Sequence, residues 1–331
     1  DPSRPQSPDY FMIHILFFRH HQYIARSLRN KYESFDDERI YETTKMINIL
    51  TMIKITLSLY GDVGIVQSTV PSTFTVDNLQ TLFKSWLYRI CGPIGSLFPS
   101  NSSNIPIEFN ILYRWHQLVP PKIVLTKFND DDEDLKQDVD DDNDVETELT
   151  LPFPNAVEFL TRKNYLETLL LSTSKTNVGK LSLNNTEPFL VNMAVIPTIK
   201  KTRYYNLASF NDYRERFGFK RYSTMNELTS DQGVVNKLID LYGDNVDNVE
   251  FYVGIFAEDK IGNALHGSFL TAIFASTVIT LLTSSPLFRK DWNVILTPLG
   301  RQIVNESVNS LNDLVELHTK LLKNQVSTRV S

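Results

Sequence analysis

The sequence predicts a mainly α-helical fold. Three observations carry that expectation. Apolar residues recur at helical spacing in most segments, acids, prolines and glycines mark helix ends, and no stretch alternates apolar with polar residues long enough for a sheet of any size. The 331 residues suffice for a large core, as one big domain or two.

The elements follow in chain order. "SFDDERIYETTKMINILTMIKITLSLYGD", residues 34 to 62, offers Ser34 as a cap, places acids in the first turn and stops at Gly61. Ile40, Ile47, Leu50 and Leu57 keep to one side of that helix. A Pro/Ser/Thr-rich stretch near residues 67 to 75 ends the block, and "TVDNLQTLFKSWLYRI" is the next helix. "SLFPSNSSNIP" is a loop leading into a helix that carries Tyr113 and His116 and is closed by Pro120 and Pro121. "AVEFLTRKNYLETLLLS" resumes helical periodicity, and "DQGVVNKLIDLYGD" is a helix stopped at Gly243. The most apolar stretch, "LHGSFLTAIFASTVITLL", residues 265 to 282, nears membrane-spanning length but contains His266, Gly267 and several hydroxyls, so it reads as a buried core helix. "YFMIHILFF", residues 10 to 18, is too short to span. No internal repeat and no Gly-rich phosphate loop is present.

Charge and cysteine content exclude several classes. The formal net charge is −6, so nothing points to nucleic acid. Much of the acidity sits in "NDDDEDLKQDVDDDNDVETE", residues 129 to 148; outside it the chain is neutral to basic. Such a run repels itself and reads as a disordered surface insert. It lacks the glycine that turns an EF-hand loop. Cys91 is the single cysteine, which rules out an internal disulfide and Cys-rich metal sites. The N-x-S/T triplets at Asn101, Asn184 and Asn305 read as chance matches. The chain opens on "DPSRPQSPD", without a basic-then-apolar leader pattern, and reads as starting inside a longer protein.

Chemistry concentrates in "EFNILYRWHQLVP", residues 108 to 120. Tyr113 stands three residues before His116, so a continuous helix would put both on one face. From the residues alone, two readings stay open: a core tyrosine beside a hydrogen-bonded core histidine, or two parts of one redox site.

Four blocks together resemble the haem peroxidase–cyclooxygenase superfamily, in its fatty-acid dioxygenase branch. The first is residues 16 to 47, which keep Arg19, His21 and Ala25 of the family pattern but have His20, Gln22 and Tyr23 where Glu, Asn and Arg are usual. The second is "EFNILYRWHQLVP", similar to the Tyr-x-Trp-His version of cyclooxygenases and fungal linoleate diol synthases rather than to the pure-peroxidase version. The third and fourth are residues 210 to 229 and 238 to 258. "RYYNLASFNDYRERFG" is also similar to fungal psi-factor-producing oxygenases, and plant α-dioxygenases resemble the chain more weakly.

The resemblance implies a helical domain of the haem-peroxidase type, of which residues 1 to 331 would be the C-terminal part. It implies haem b as cofactor, His116 as the axial ligand of its iron, and Tyr113 as the residue that forms a radical and takes hydrogen from a polyunsaturated fatty acid. Molecular oxygen would then add to the carbon radical. The late helix around Phe269, Phe274 and Leu281 would line the acyl channel, with Thr277 near the serine that lies in the cyclooxygenase channel. Fatty acid and O2 would be the partners, with membrane-surface association through an upstream region and homo-oligomerisation left open. The compartment stays open between cytoplasm and membrane.

Departures bound the reading. None of the six histidines matches the family's distal histidine, and the carboxylate-binding arginine of cyclooxygenases would lie upstream. The His and Thr that hold the carboxylate in α-dioxygenases have no clear match; Thr56 and Gly61 stand near those places. Two alternatives follow: a peroxidase of the same superfamily that never oxygenates lipid, and a truncated, non-enzymatic haem-fold protein.

Other residues read as structural. Arg19 is expected in a buried salt bridge, Arg114 in a pair with a nearby acid before a haem propionate, and Trp115 in packing. His266 is expected as a hydrogen-bonded core histidine, His14 and His318 carry no signal, and Tyr213, Arg214 and Phe217 hold the fold.

Overall fold

The computed structural model describes residues 8–62, 105–126, 128, 148–150, 164–262, 264–284, 296–322 and 324–326. The helix expected over residues 75 to 90, the stretch from 67 to 75, Cys91, Asn101 and nearly all of the acidic run lie outside these residues.

Among the described residues the α-helices of five or more residues are α1 (Pro8–Lys31), α2 (Asp37–Asp62), α3 (Ile107–Leu112), α4 (Tyr165–Lys175), α5 (Ile196–Tyr204), α6 (Phe210–Arg216), α7 (Gln232–Tyr242), α8 (Phe251–Ala257), α9 (Ser268–Ser284), α10 (Pro298–Gln302) and α11 (Leu311–His318). Two π-helical turns, Val191–Val195 and Ile303–Ser307, adjoin α5 and α10. The mainly α expectation holds. A two-stranded antiparallel sheet also forms, β1 (Lys122–Val124) with β2 (Glu148–Thr150). Its strands are too short to leave an alternating pattern in the sequence. Glu148, assigned above to the acidic insert, instead stands in β2 opposite Val124 of β1 and pairs its carboxylate with Lys122 at 2.5 Å.

The chain divides into two units. The first comprises residues 1–56, 120–178 and 296–331. In it α1 buries Met12, Leu16, His20, Ile24 and Leu28, spaced four apart, against α4 and α11. That stripe faces one side because four residues exceed a helical turn only slightly. On α2, Ile40, Ile47 and Leu50 are buried as expected, and the side chain of Leu57 lies outside the described set. The cap of α2 is Asp36 rather than Ser34: its carboxylate accepts from the Arg39 N–H at 2.8 Å. The helix also runs one residue past Gly61. Gly300 lets α10 approach α2, since a Cβ there would meet Ile47 Cδ1 at 2.7 Å. Lys54, nearly buried, donates to the carbonyls of Val304 at 2.6 Å and Asn305 at 3.3 Å, satisfying the open end of a π-helical turn.

Arg19 and His318 depart from expectation in this unit. Arg19 is exposed and donates to the His318 carbonyl at 2.6 Å, so it makes no buried salt bridge. His318, which the sequence left without a role, faces the fully buried His20, Nδ1 to Nε2 at 3.0 Å.

The second unit comprises residues 57–119 and 179–295. Its core is aromatic. Phe210, Phe217, Phe219 and Phe251 all meet the ring of Phe269 edge to face. Gly254 lies directly against Phe210, with no room for a Cβ. Arg214 and Glu258 form a buried ion pair, and the Glu258 carboxylate also accepts from Tyr222 Oη at 2.9 Å, Ser268 Oγ at 3.1 Å and the Phe269 N–H at 2.9 Å. One carboxylate thereby ties α6 and α8 to the first turn of α9. Arg214 and Tyr213 are fold-holding, as expected; Tyr213 Oη donates to Glu108 at 2.9 Å, anchoring α3. α7 starts on Asp231, whose carboxylate accepts from Gly233 and Val234, and ends at Gly243 with φ 71°. That left-handed backbone is cheap only for glycine. Helix α9 buries Phe269, Leu270, Ala272, Ile273, Phe274 and Ala275, as expected of a core helix. Among the described residues no helix is long and apolar enough to cross a membrane.

Candidate functional site

The site is built where α3 stops. The sequence predicts one helix through Tyr113 and His116; instead α3 ends at Leu112 and a separate 3-10 turn spans His116–Leu118. The reason is local. The last carbonyls of a helix need donors, and here two side chains supply them. Trp115 Nε1 donates to the Leu112 carbonyl at 2.8 Å, and Arg114 Nε donates to the Asn110 carbonyl at 3.1 Å. The Trp115 N–H turns back to the Tyr113 carbonyl at 3.2 Å, closing a three-residue turn. Trp115 therefore does more than pack. Among the described residues Arg114 pairs with no acid: its remaining nitrogens bond Asn110 Oδ1 at 3.0 Å and Thr198 Oγ1 at 2.9 Å.

Tyr113, at the end of α3, is 52% exposed. Its ring lies parallel to that of Phe274, with centroids 6.1 Å apart and planes 6° apart, and stacks on Phe109 at 5.8 Å. Phe274, Thr277 and Leu281 follow one stripe of α9, at spacings of three and four. Phe274 and Thr277 are buried and Leu281 is half-buried. The Thr277 hydroxyl is buried without a hydrogen-bond partner among the described residues. The structure thus joins Tyr113 to the head of the stripe that carries the other two expected channel residues.

His116 is half-buried in its own turn. Burial first, then the Arg114 charge, holds its pKa below the ordinary imidazole value, so the ring is neutral at pH 7. Its Nδ1 is buried and has no hydrogen-bond partner among the described residues. A neutral imidazole with an uncommitted buried nitrogen is the state in which histidine ligates a metal or enters a second-shell bond. Among the described residues no group of three or more His, Cys, Asp or Glu could hold a metal ion.

Residues without an assigned role stand close by. Tyr252, buried on α8, reaches the Arg114 carbonyl at 3.4 Å, and burial pushes its phenol up to about 12. His266, expected to be hydrogen-bonded, is 3% exposed with both ring nitrogens unpartnered among the described residues, and its ring lies 4.6 Å from that of Trp115. Burial, then Lys260, lowers its pKa to about 4. No local pattern marks either residue, because their partners lie over a hundred positions away in sequence.

Comparison with known proteins adds the following. A family model described as animal haem peroxidase matches residues 1–330. Prostaglandin G/H synthase 1 of Mus musculus is 25% identical over 323 residues, 95% of this chain and 46% of its own length. Alpha-dioxygenase 2 of Arabidopsis thaliana is 23% identical over 342 residues, 95% of this chain and 53% of its own length. A crystal structure of an Oryza sativa fatty acid alpha-dioxygenase variant with palmitic acid superposes with a TM-score of 0.71 at 20% identity, covering 92% of this chain and 53% of that one. The fold is shared, and the chain spans about half the length of these relatives.

Proposed function

Because the chain belongs to the animal haem peroxidase family, we propose that it is a haem-dependent oxygenase that inserts O2 into a polyunsaturated fatty acid through a radical on Tyr113. The observation that carries the reading is Tyr113 stacked on the head of the Phe274–Thr277–Leu281 stripe, three residues before a neutral, half-buried His116. Residues 1–331 are read as part of one haem-peroxidase domain, and relatives named for fatty-acid dioxygenation support the substrate class.

His116 would hold the iron through one ring nitrogen, which burial keeps unprotonated. Haem b, when bound, supplies the oxidising power. The rest belongs to this chain. Tyr113 Oη gives up a hydrogen atom, and the resulting phenoxyl takes one from a bis-allylic C–H. O2 adds to the carbon radical, and the peroxyl oxygen takes a hydrogen atom back from Tyr113. Phe274 and Phe109 hold the phenol ring in place throughout, and the α9 stripe offers methylenes an apolar wall.

Tyr113→Phe tests the reading. Oxygen uptake with linoleate should be abolished while oxidation of a phenolic peroxidase substrate survives. Unchanged lipid oxygenation would refute the radical role, and absence of lipid oxygenation in the unaltered haem-loaded protein would favour the peroxidase alternative.

A further inference from the structure

Three Asn-x-Ser/Thr triplets stand in the sequence, and the structure tells two of them apart. Asn184-Asn185-Thr186 lies in the loop between Gly179 and the helical turn Pro188–Leu190. Asn305-Glu306-Ser307 lies inside the π-helical turn Ile303–Ser307. Asn101 is outside the described residues. As sequence the triplets are equivalent; as backbone they are not.

Asn184 is exposed, and its backbone is left-handed, with φ 61°. Asparagine enters that region at smaller cost than most residues, because its short amide can bond locally. The loop is held by the residues around it. The Gly179 N–H donates to the Leu118 carbonyl at 3.0 Å, and a Cβ at Gly179 would run into the Gln117 carbonyl, so the start of the loop is pressed against the turn that carries His116. Leu181 is buried, Asn185 Nδ2 donates to the Lys180 carbonyl, and the Leu190 N–H donates to the Glu187 carbonyl at 2.9 Å. Asn184 has no part in this bracing: its amide makes no hydrogen bond among the described residues. The second asparagine of the triplet holds the loop, and the first stands in solvent.

Asn305 is the contrast. It is half-buried, and its carbonyl accepts from the buried Lys54 at 3.3 Å, beside the Val304 carbonyl that accepts from the same ammonium at 2.6 Å. Ile303 and Val304 of that turn are buried. A bulky group on Asn305 would crowd a packed turn, whereas one on Asn184 displaces nothing.

We propose that Asn184 is an N-glycan acceptor and that Asn305 is not. The co-reactant is a lipid-pyrophosphate-linked oligosaccharide. The Asn184 amide nitrogen forms a C–N bond to the anomeric carbon, the anomeric C–O bond to pyrophosphate breaks, the lipid pyrophosphate leaves, and the amide gives up one proton to the transferase. Thr186 supplies the hydroxyl that the acceptor triplet requires, and Asn185 between them is not the forbidden proline. The glycan is bulky and solvated, so the folded protein must present its anchor on an exposed loop. Asn184 meets that condition. The proposal places the chain in a compartment where such oligosaccharides are transferred, and it stands independently of the oxygenase reading.

The test uses the full chain purified from its own cells. Glycosidase release in heavy-oxygen water turns a glycosylated asparagine into a labelled aspartate, which peptide mass mapping locates. The label should appear at residue 184 and not at residue 305. Expressed in the same cells, Thr186→Ala should lose the label while Asn305→Gln keeps it. Thr186→Ser retains the hydroxyl and should keep the label, which separates loss of the triplet from misfolding. An unlabelled residue 184 in the unaltered protein, or a label that survives Thr186→Ala, overturns the acceptor assignment. A label at residue 305 overturns the selection by backbone and burial.

Discussion

The rings of Tyr113 and Phe274 are stacked, their planes 6° from parallel and their centroids 6.1 Å apart. One is the last residue before a helix break; the other sits midway along the buried helix α9. Their stack makes Phe274 a holder of the phenol. Phe274→Ala should therefore lower oxygen uptake several-fold. It should also cost about 3–5 kcal/mol of stability, because it leaves a cavity under an otherwise packed ring. Urea unfolding beside oxygen uptake measures both. A variant with full activity would show that Tyr113 needs no support from α9.

The Arg214–Glu258 pair has the larger structural consequence. Both side chains are almost fully buried, and the carboxylate gathers donors from three segments. Arg214→Met leaves that charge without its cation and should destabilise the fold by about 3–5 kcal/mol. Arg214→Met with Glu258→Leu should recover part of the loss. Thermal melts of the three proteins would settle it; equal midpoints for the single and double variants would contradict the pairing.

Acid should loosen the first unit through His20 and His318. Burial lowers both to about 4; for His20 the neighbouring His318 and His21 add to this, and for His318 the Arg19 charge does. The folded pKa lies below the unfolded value near 6.5, so the unfolded chain takes up protons first. Stability is full above about pH 6.5, falls as pH drops toward 4, and levels off below that. The fully buried His20 alone accounts for about 3 kcal/mol, and the half-buried His318 adds a smaller, solvent-screened share. The double variant His20→Leu/His318→Leu should flatten the profile, though His266 keeps its own share of the slope. An unchanged profile would show that the pair does not titrate as its surroundings require.

Two close approaches differ in how much they can yield. At Gly254 a Cβ would meet the Phe210 ring where it leaves its backbone; at Gly300 it would meet the flexible tip of Ile47 at 2.7 Å. Gly254→Ala should cost about 1–3 kcal/mol and Gly300→Ala distinctly less. Chemical denaturation ranks them, and the reverse order would refute the packing described.

The sequence made legible what is local. Asp231 and Gly243 bound α7 as helix-end chemistry requires, and the buried stripes of α2 and α9 follow from apolar spacing. The break at Leu112 was hidden because it depends on which side chains bond the last carbonyls, and Arg114 and Trp115 do so only in three dimensions. The His20–His318 pair spans 298 positions, and the Trp115–His266 contact joins α3's end to the start of α9, so no window of sequence contains either. Asp36 displaced Ser34 as a cap because an aspartate one position before the helix reaches the same N–H groups. The block that carries Tyr113 and His116 could be matched to a family by resemblance; the contacts that surround it could not.

Titration of the full chain with haem, followed by the Soret absorption, tests the central claim most directly. The account predicts stoichiometric binding with a spectrum of histidine-ligated iron, and loss of that spectrum in His116→Ala while Tyr113→Phe retains it. An identical titration for His116→Ala and the unaltered chain would contradict the assignment of His116 and everything built on it.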